Sequence, residues 1–65
     1  MHNIAKKRLE RGWTQSELAE RSGVSQSTIS QIESGERKYP RVNNIKKIAE
    51  ALETSMEELI DEKFY

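Results

Sequence analysis

Residues 15–34 read QSELAERSGVSQSTISQIES, and their pattern decides the fold. Leu18, Ala19, Val24, Ile29 and Ile32 are the apolar positions, spaced for two short helices. Gly23 marks a tight turn between them. Advancing about 100° per residue around the second helix puts Ile29 and Ile32 on one side. Gln26, Ser27, Ser30, Gln31 and Ser34 fall within one arc on the other, and none of them is charged. An enzyme would show a charged or nucleophilic cluster here, and a purely structural bundle would show lysine and glutamate. Glutamine can pair with adenine N6 and N7, and serine can donate or accept at several base edges. An uncharged arc of this kind therefore suits the reading of DNA bases. An ordinary polar helix surface has the same composition, so composition leaves both readings open.

Outward from this stretch the chain reads as more short helices. Thr14-Gln15-Ser16-Glu17 fits a capping box opening helix 2, with Trp13 and Leu18 at the staple positions. Ser25 is a good N-cap for helix 3, which stops at Ser34-Gly35. Helix 1 is expected over about Asn3–Arg11, with Ile4, Ala5 and Leu9 on one face and Gly12 as its C-terminal cap. A polar loop from Gly35 to Arg41 contains the lone proline, Pro40. Helix 4 follows, with Val42, Ile45, Ile48, Ala49 and Leu52 at helical spacing. Ser55 and Glu58 offer a second capping box for a short helix 5 carrying Met56, Leu59 and Ile60. The expectation is an all-α fold of five helices in a single domain, residues 1–65.

Sixty-five residues with 34% apolar content allow one small core. Without cysteine there is no disulfide framework and no thiolate metal site. Apolar runs never exceed two residues, which excludes a membrane span and a secretory signal and makes a cytosolic setting the default. His2 is the only histidine, and no nucleophile–base pair or metal-ligand spacing accompanies the serines. No catalytic residue, metal or cofactor is expected, and the chain does not read as an enzyme. Net charge is zero, yet its distribution is uneven. Met1 to Ile48 hold ten Lys/Arg against five acids, and Ala49 to Tyr65 one against six. A basic excess thus accompanies the uncharged arc, though solvated helix faces of mixed charge would look the same.

Several short strings carry a resemblance to a known family. They are Thr14-Gln15 before Leu18-Ala19, Gly23-Val24-Ser25, Ile29-Ser30-Gln31-Ile32-Glu33-Ser34-Gly35, then Pro40, Ile45, Ile48-Ala49 and Leu52. Together they resemble the phage repressor and Cro-type (xenobiotic-response-element) helix-turn-helix DNA-binding domains over nearly the whole chain. The resemblance implies a lambda-repressor-like five-helix fold in which helices 2 and 3 form the DNA-binding pair. It implies a sequence-specific transcriptional regulator, a repressor by family habit, in a bacterial or phage-encoded cytoplasmic setting associated with the nucleoid. Its partner would be double-stranded operator DNA, bound as a homodimer.

Carried over residue by residue, Gln26, Ser27, Ser30 and Gln31 match base-reading positions. Gln15, Lys38 and Arg41 match positions that contact phosphate, with an approach of Arg41 to the minor groove as the alternative. Ser25, at the helix 3 N-terminus, joins the phosphate set because free amides there attract anions. Arg8 and Glu33 match positions that pair inside the protein. Thr54, Met56, Leu59 and Ile60 match the region that family members use for dimer contacts. Two positions depart from the family pattern. Arg41 stands where a serine or threonine cap is common, and Trp13 replaces a smaller aliphatic residue. An interaction module of the same fold, contacting other proteins through the acidic C-terminal segment and Phe64-Tyr65, is the alternative function.

Overall fold

The computed structural model describes residues 3–37 and 40–59. Five helices follow in order: α1 (Ile4–Glu10), α2 (Gln15–Ser22), α3 (Gln26–Ser34), α4 (Val42–Ala51) and α5 (Met56–Leu59). No strand occurs among the described residues. His2, Lys38, Ile60, Phe64 and Tyr65, each discussed from the sequence, lie outside them.

Local chemistry accounts for most helix ends. At the start of α2 the Glu17 amide donates to Thr14 Oγ1 at 3.0 Å, and the Thr14 amide donates back to Glu17 Oε1 at 3.5 Å. Ser25 caps α3 by accepting from the Thr28 amide at 3.2 Å. The chain leaves α1, α2 and α3 through Gly12, Gly23 and Gly35, all left-handed, at φ 71, 77 and 87°. After α4 the same ending recurs without glycine. The Thr54 amide donates to the Ala49 carbonyl at 3.0 Å, which forces Glu53 to φ 53°. A left-handed conformation costs a side-chain-bearing residue about 1–2 kcal/mol. Glu53→Gly is therefore expected to raise stability by about 1 kcal/mol, read as a higher urea midpoint. An unchanged midpoint would mean the strain is relieved elsewhere.

The core is Ile4, Leu18, Val24, Ile29, Ile32, Ile45, Ile48, Ala49, Leu52 and Leu59, with Trp13, Ala19, Ala51 and Met56 packed around it. α2 packs against both α3 and α4, and α4 against α5. α1 is tied in by Ile4 in the core and by polar arms at both ends. The Asn3 amide and Nδ2 donate to the carbonyls of Leu59 and Glu58, at 3.0 and 2.9 Å. Arg11 Nη2 donates to the Leu52 carbonyl at 2.7 Å. Trp13 lies beneath two guanidinium groups, with Arg21 at 4.5 Å and Arg11 at 5.2 Å from the ring centroid.

Four expectations are corrected. Leu9, assigned to the core face of α1, is 64% exposed, because α1 is only seven residues long and turns off at Gly12 before Leu9 meets a partner. Val42 is 60% exposed, since it opens α4 ahead of the turn that enters the core. Leu59, expected on an exposed dimer surface, is fully buried and closes the core beneath the Asn3 anchor. At α5 the Glu58 amide donates to Ser55 Oγ, but the Glu58 carboxylate accepts from the Thr54 hydroxyl and faces Lys7 Nζ at 3.7 Å. That carboxylate therefore serves the α1 contact instead of completing a second capping box.

Candidate nucleic-acid interface

The α2–turn–α3 pair is built by the same residues that end and start its helices. Gly23 donates to the Ala19 carbonyl, and Ser22 Oγ accepts from the Val24 amide at 3.2 Å. Val24, Ile29 and Ile32 then sink into the core, which rolls the opposite face of α3 outward. Gln26, Ser27, Ser30 and Ser34 are exposed and Gln31 is half-buried. Gln15 from α2, together with Gln26, Ser27, Ser30, Gln31 and Glu36, lines an open cleft of about 390 Å³. The four side chains expected to read bases thus lie in one concavity with Gln15.

Their local partners differ. Gln26, Ser27 and Ser30 make no side-chain hydrogen bond to another described residue, which leaves their donors and acceptors to solvent or a ligand. Ser34, which shares their arc, is engaged at the helix end. Its Oγ donates to the Gln31 carbonyl at 3.1 Å and accepts from the Glu36 amide at 3.4 Å. Ser25 Oγ donates to Thr28 Oγ1 at 2.8 Å while it caps the helix. With its proton so placed, an anion at this end of α3 would meet backbone amides rather than the Ser25 hydroxyl.

Behind the cleft sits a partly buried charge pair. Arg8 Nε donates to Glu33 Oε2 at 2.8 Å and Nη2 to Oε1 at 2.9 Å, a two-pronged contact between α1 and α3. Arg8 Nη1 donates to the Trp13 carbonyl at 2.7 Å. The two side chains are only 11% and 8% exposed. The hydrogen bond that Arg8 donates to Glu33 holds the guanidinium pKa above its ordinary value, burial opposes this, and Coulombic attraction to Glu33 adds to it. Gln15 joins the group by donating from Nε2 to Glu33 Oε1 at 3.0 Å. A carboxamide nitrogen carries two hydrogens, so one fixes the orientation of Gln15 on Glu33 and the other is left for a further acceptor.

Arg41 is exposed at the N-terminus of α4 and makes no side-chain cap there, so its guanidinium is not tied to the helix it precedes. It does not line the cleft. Two residues at or near the cleft escaped the reading of the sequence. Glu36 sets a carboxylate at the edge of the cleft. Arg37 reaches back to Gln31, its Nη2 donating to Oε1 at 2.8 Å. The turn at Gly35 was the available signal, because a left-handed residue reverses the chain toward the helix it ends. Among the described residues no cluster of three or more His, Cys, Asp or Glu could hold a metal ion. No helix there is long and apolar enough to cross a membrane.

Comparison with known proteins agrees with this architecture. The helix-turn-helix family model matches residues 4–59, which takes in all five helices. The chain is 38% identical over 60 residues to the HTH-type transcriptional regulator SinR of Bacillus subtilis (strain 168), across 92% of this chain and 54% of SinR. It is 49% identical over 53 residues to the HTH-type transcriptional repressor RghR of the same organism, across 82% of this chain and 39% of RghR. To the HTH-type transcriptional regulator y4dJ of Sinorhizobium fredii (strain NBRC 101917 / NGR234) it is 43% identical over 58 residues, across 89% of this chain and 74% of that protein. The chain thus spans about half the length of SinR and less of RghR. No solved structure matches it. With a helix pair of this geometry and a family match across every described helix, the chain belongs to the helix-turn-helix family of DNA-binding domains.

Proposed function

We propose that this domain is the sequence-reading part of a transcriptional repressor that binds a palindromic operator as a homodimer in the bacterial cytoplasm. The observation that carries this reading is the uncharged cleft face of α3, where Gln26, Ser27, Ser30 and Gln31 stand together beside Gln15. Side chains of this kind match base edges in the major groove, whose width admits an α-helix. Basic residues that would meet phosphate are close in sequence, at Lys38 and Arg41. RghR, named a repressor, favours repression over activation.

A dimer follows from the size of the reader. α3 is nine residues long and brings four reading side chains, too few for useful discrimination within a genome. Two domains with their third helices about 34 Å apart would read successive major grooves on one face of the duplex. Thr54, Met56 and Ile60 remain the residues proposed for the contact between them, with Leu59 withdrawn into the core. Sedimentation of the protein free and on its selected duplex tests this. A monomer in both conditions would eliminate the dimer.

Selection of binding sites from random duplex DNA, followed by titration at several salt concentrations, tests the function itself. Enrichment of one inverted-repeat sequence and a steep fall of affinity with salt are expected, because each neutralised phosphate releases counterions. Gln26→Ala should lose about 1–3 kcal/mol at one base pair only. Arg41→Ala should weaken all sequences alike and lower the salt slope by about one. No enrichment with a flat salt response would instead favour a protein-interaction module built on the same fold.

A further inference from the structure

Both the main chain and the side chain of Arg37 bind residue 31. The Arg37 amide donates to the Gln31 carbonyl at 3.2 Å, and Nη2 donates to Gln31 Oε1 at 2.8 Å. The way α3 ends explains this double contact. Beyond a left-handed glycine such as Gly35, a Schellman ending would give the Gln31 carbonyl the amide of Glu36. Ser34 intervenes, because its Oγ accepts from the Glu36 amide at 3.4 Å and itself donates to the Gln31 carbonyl at 3.1 Å. The next amide, that of Arg37, then completes the turn, and its side chain returns over the helix to the Gln31 carboxamide.

A glutamine by itself offers a base both an acceptor and a donor. In the two-pronged contact with adenine, Oε1 accepts from N6 while Nε2 donates to N7. Here a guanidinium already occupies Oε1. With one of its two lone pairs taken, Oε1 keeps a single acceptor site beside a cation, while the Nε2 hydrogens of Gln31 and the remaining N–H groups of Arg37 make the pair predominantly a donor. An adenine amino group approaching the same Oε1 would meet a cationic donor beside it. Guanine offers two acceptors at that edge, N7 and O6.

We propose that Arg37 is a specificity-determining residue which, by holding the Gln31 carbonyl oxygen, makes the pair select guanine over adenine where Gln31 faces the groove. This inference rests on the assignment of α3 as the base-reading helix. It is tested by site selection with the wild type, Gln31→Ala, Arg37→Ala and Arg37→Lys. Gln31→Ala identifies the base pair concerned as the position whose preference flattens. There the wild type should favour guanine over adenine on the order of tenfold. Arg37→Ala should move the preference toward adenine and leave other positions unchanged. Arg37→Lys, still a cationic donor, should keep guanine. Adenine preferred by the wild type would overturn the proposal without recourse to any variant. So would an Arg37→Ala protein that keeps the wild-type preference and binds every sequence equally less well, since Arg37 would then be a phosphate contact. A wild type that selects no sequence would refute the base-reading function, and this inference with it. Sequence-selective binding with an unmoved preference refutes the inference alone.

Discussion

Arg8→Ala is expected to destabilise the domain by about 3 kcal/mol, the lower end of the cost of breaking a buried ion pair, because this one is partly buried. The loss falls on more than one contact. Arg8 holds both oxygens of Glu33 and the Trp13 carbonyl, so its removal leaves a carboxylate that is 8% exposed and frees the turn between α1 and α2. Domains of this size carry only about 0.05–0.15 kcal/mol of stability per residue, so such a loss approaches the whole. Urea unfolding monitored by helical circular dichroism would read it. A loss below about 1 kcal/mol would mean that water reaches the pair. The double replacement Arg8→Met with Glu33→Leu should recover most of the stability, because a buried pair exchanged for apolar side chains is often neutral or better. That variant should nevertheless bind DNA less well, since Gln15 loses the oxygen that orients it. Separating the two effects would show what the charge pair does for the reading face beyond holding the fold.

Ile4→Ala should cost about 2–5 kcal/mol, whereas Leu9→Ala should change stability by no more than about 0.5 kcal/mol. The two residues belong to the same helix and read as one apolar face by spacing. Ile4 is fully buried in the cluster shared with Leu18, Ile45 and Leu59, and its truncation leaves a cavity that short, well-anchored helices cannot close. Leu9 is 64% exposed and has little contact to lose. Equal losses at the two sites would show that α1 lies deeper than this packing has it. A marked gain from Leu9→Ala would instead identify the exposed leucine as a liability in solution.

On the proposed function, base reading and stability share residues in this domain. Glu33 stands on α3, yet it faces inward and links α1 through Arg8 and α2 through Gln15. Gln31 faces outward from the same turn and is engaged by Arg37. A change in either contact would reorient a reading group without touching a base. Variants with altered sequence preference are therefore expected behind the cleft as well as in it.

What the sequence determined by itself is the local structure and the uncharged outer face of α3. Capping at Thr14 and Ser25, the three glycines and the spacing of Ile29 and Ile32 act within a few residues. Neighbouring side chains and backbone amides are enough to decide them, so five helices and an uncharged α3 arc were legible in order. Tertiary structure decided what depends on partners distant in the chain. Leu9 and Val42 satisfy helical periodicity but stay largely exposed, while Leu59 meets the N-terminal anchor more than fifty residues away. Glu53 takes a left-handed conformation that its residue type gives no reason to expect, because the α4 ending demands it. Arg37 looked like one more basic loop residue, and only the reversal of the chain after Gly35 brought it onto Gln31. Periodicity reports which face of a helix is apolar, but what covers that face, and which polar group turns back onto the other, depends on contacts made only in three dimensions.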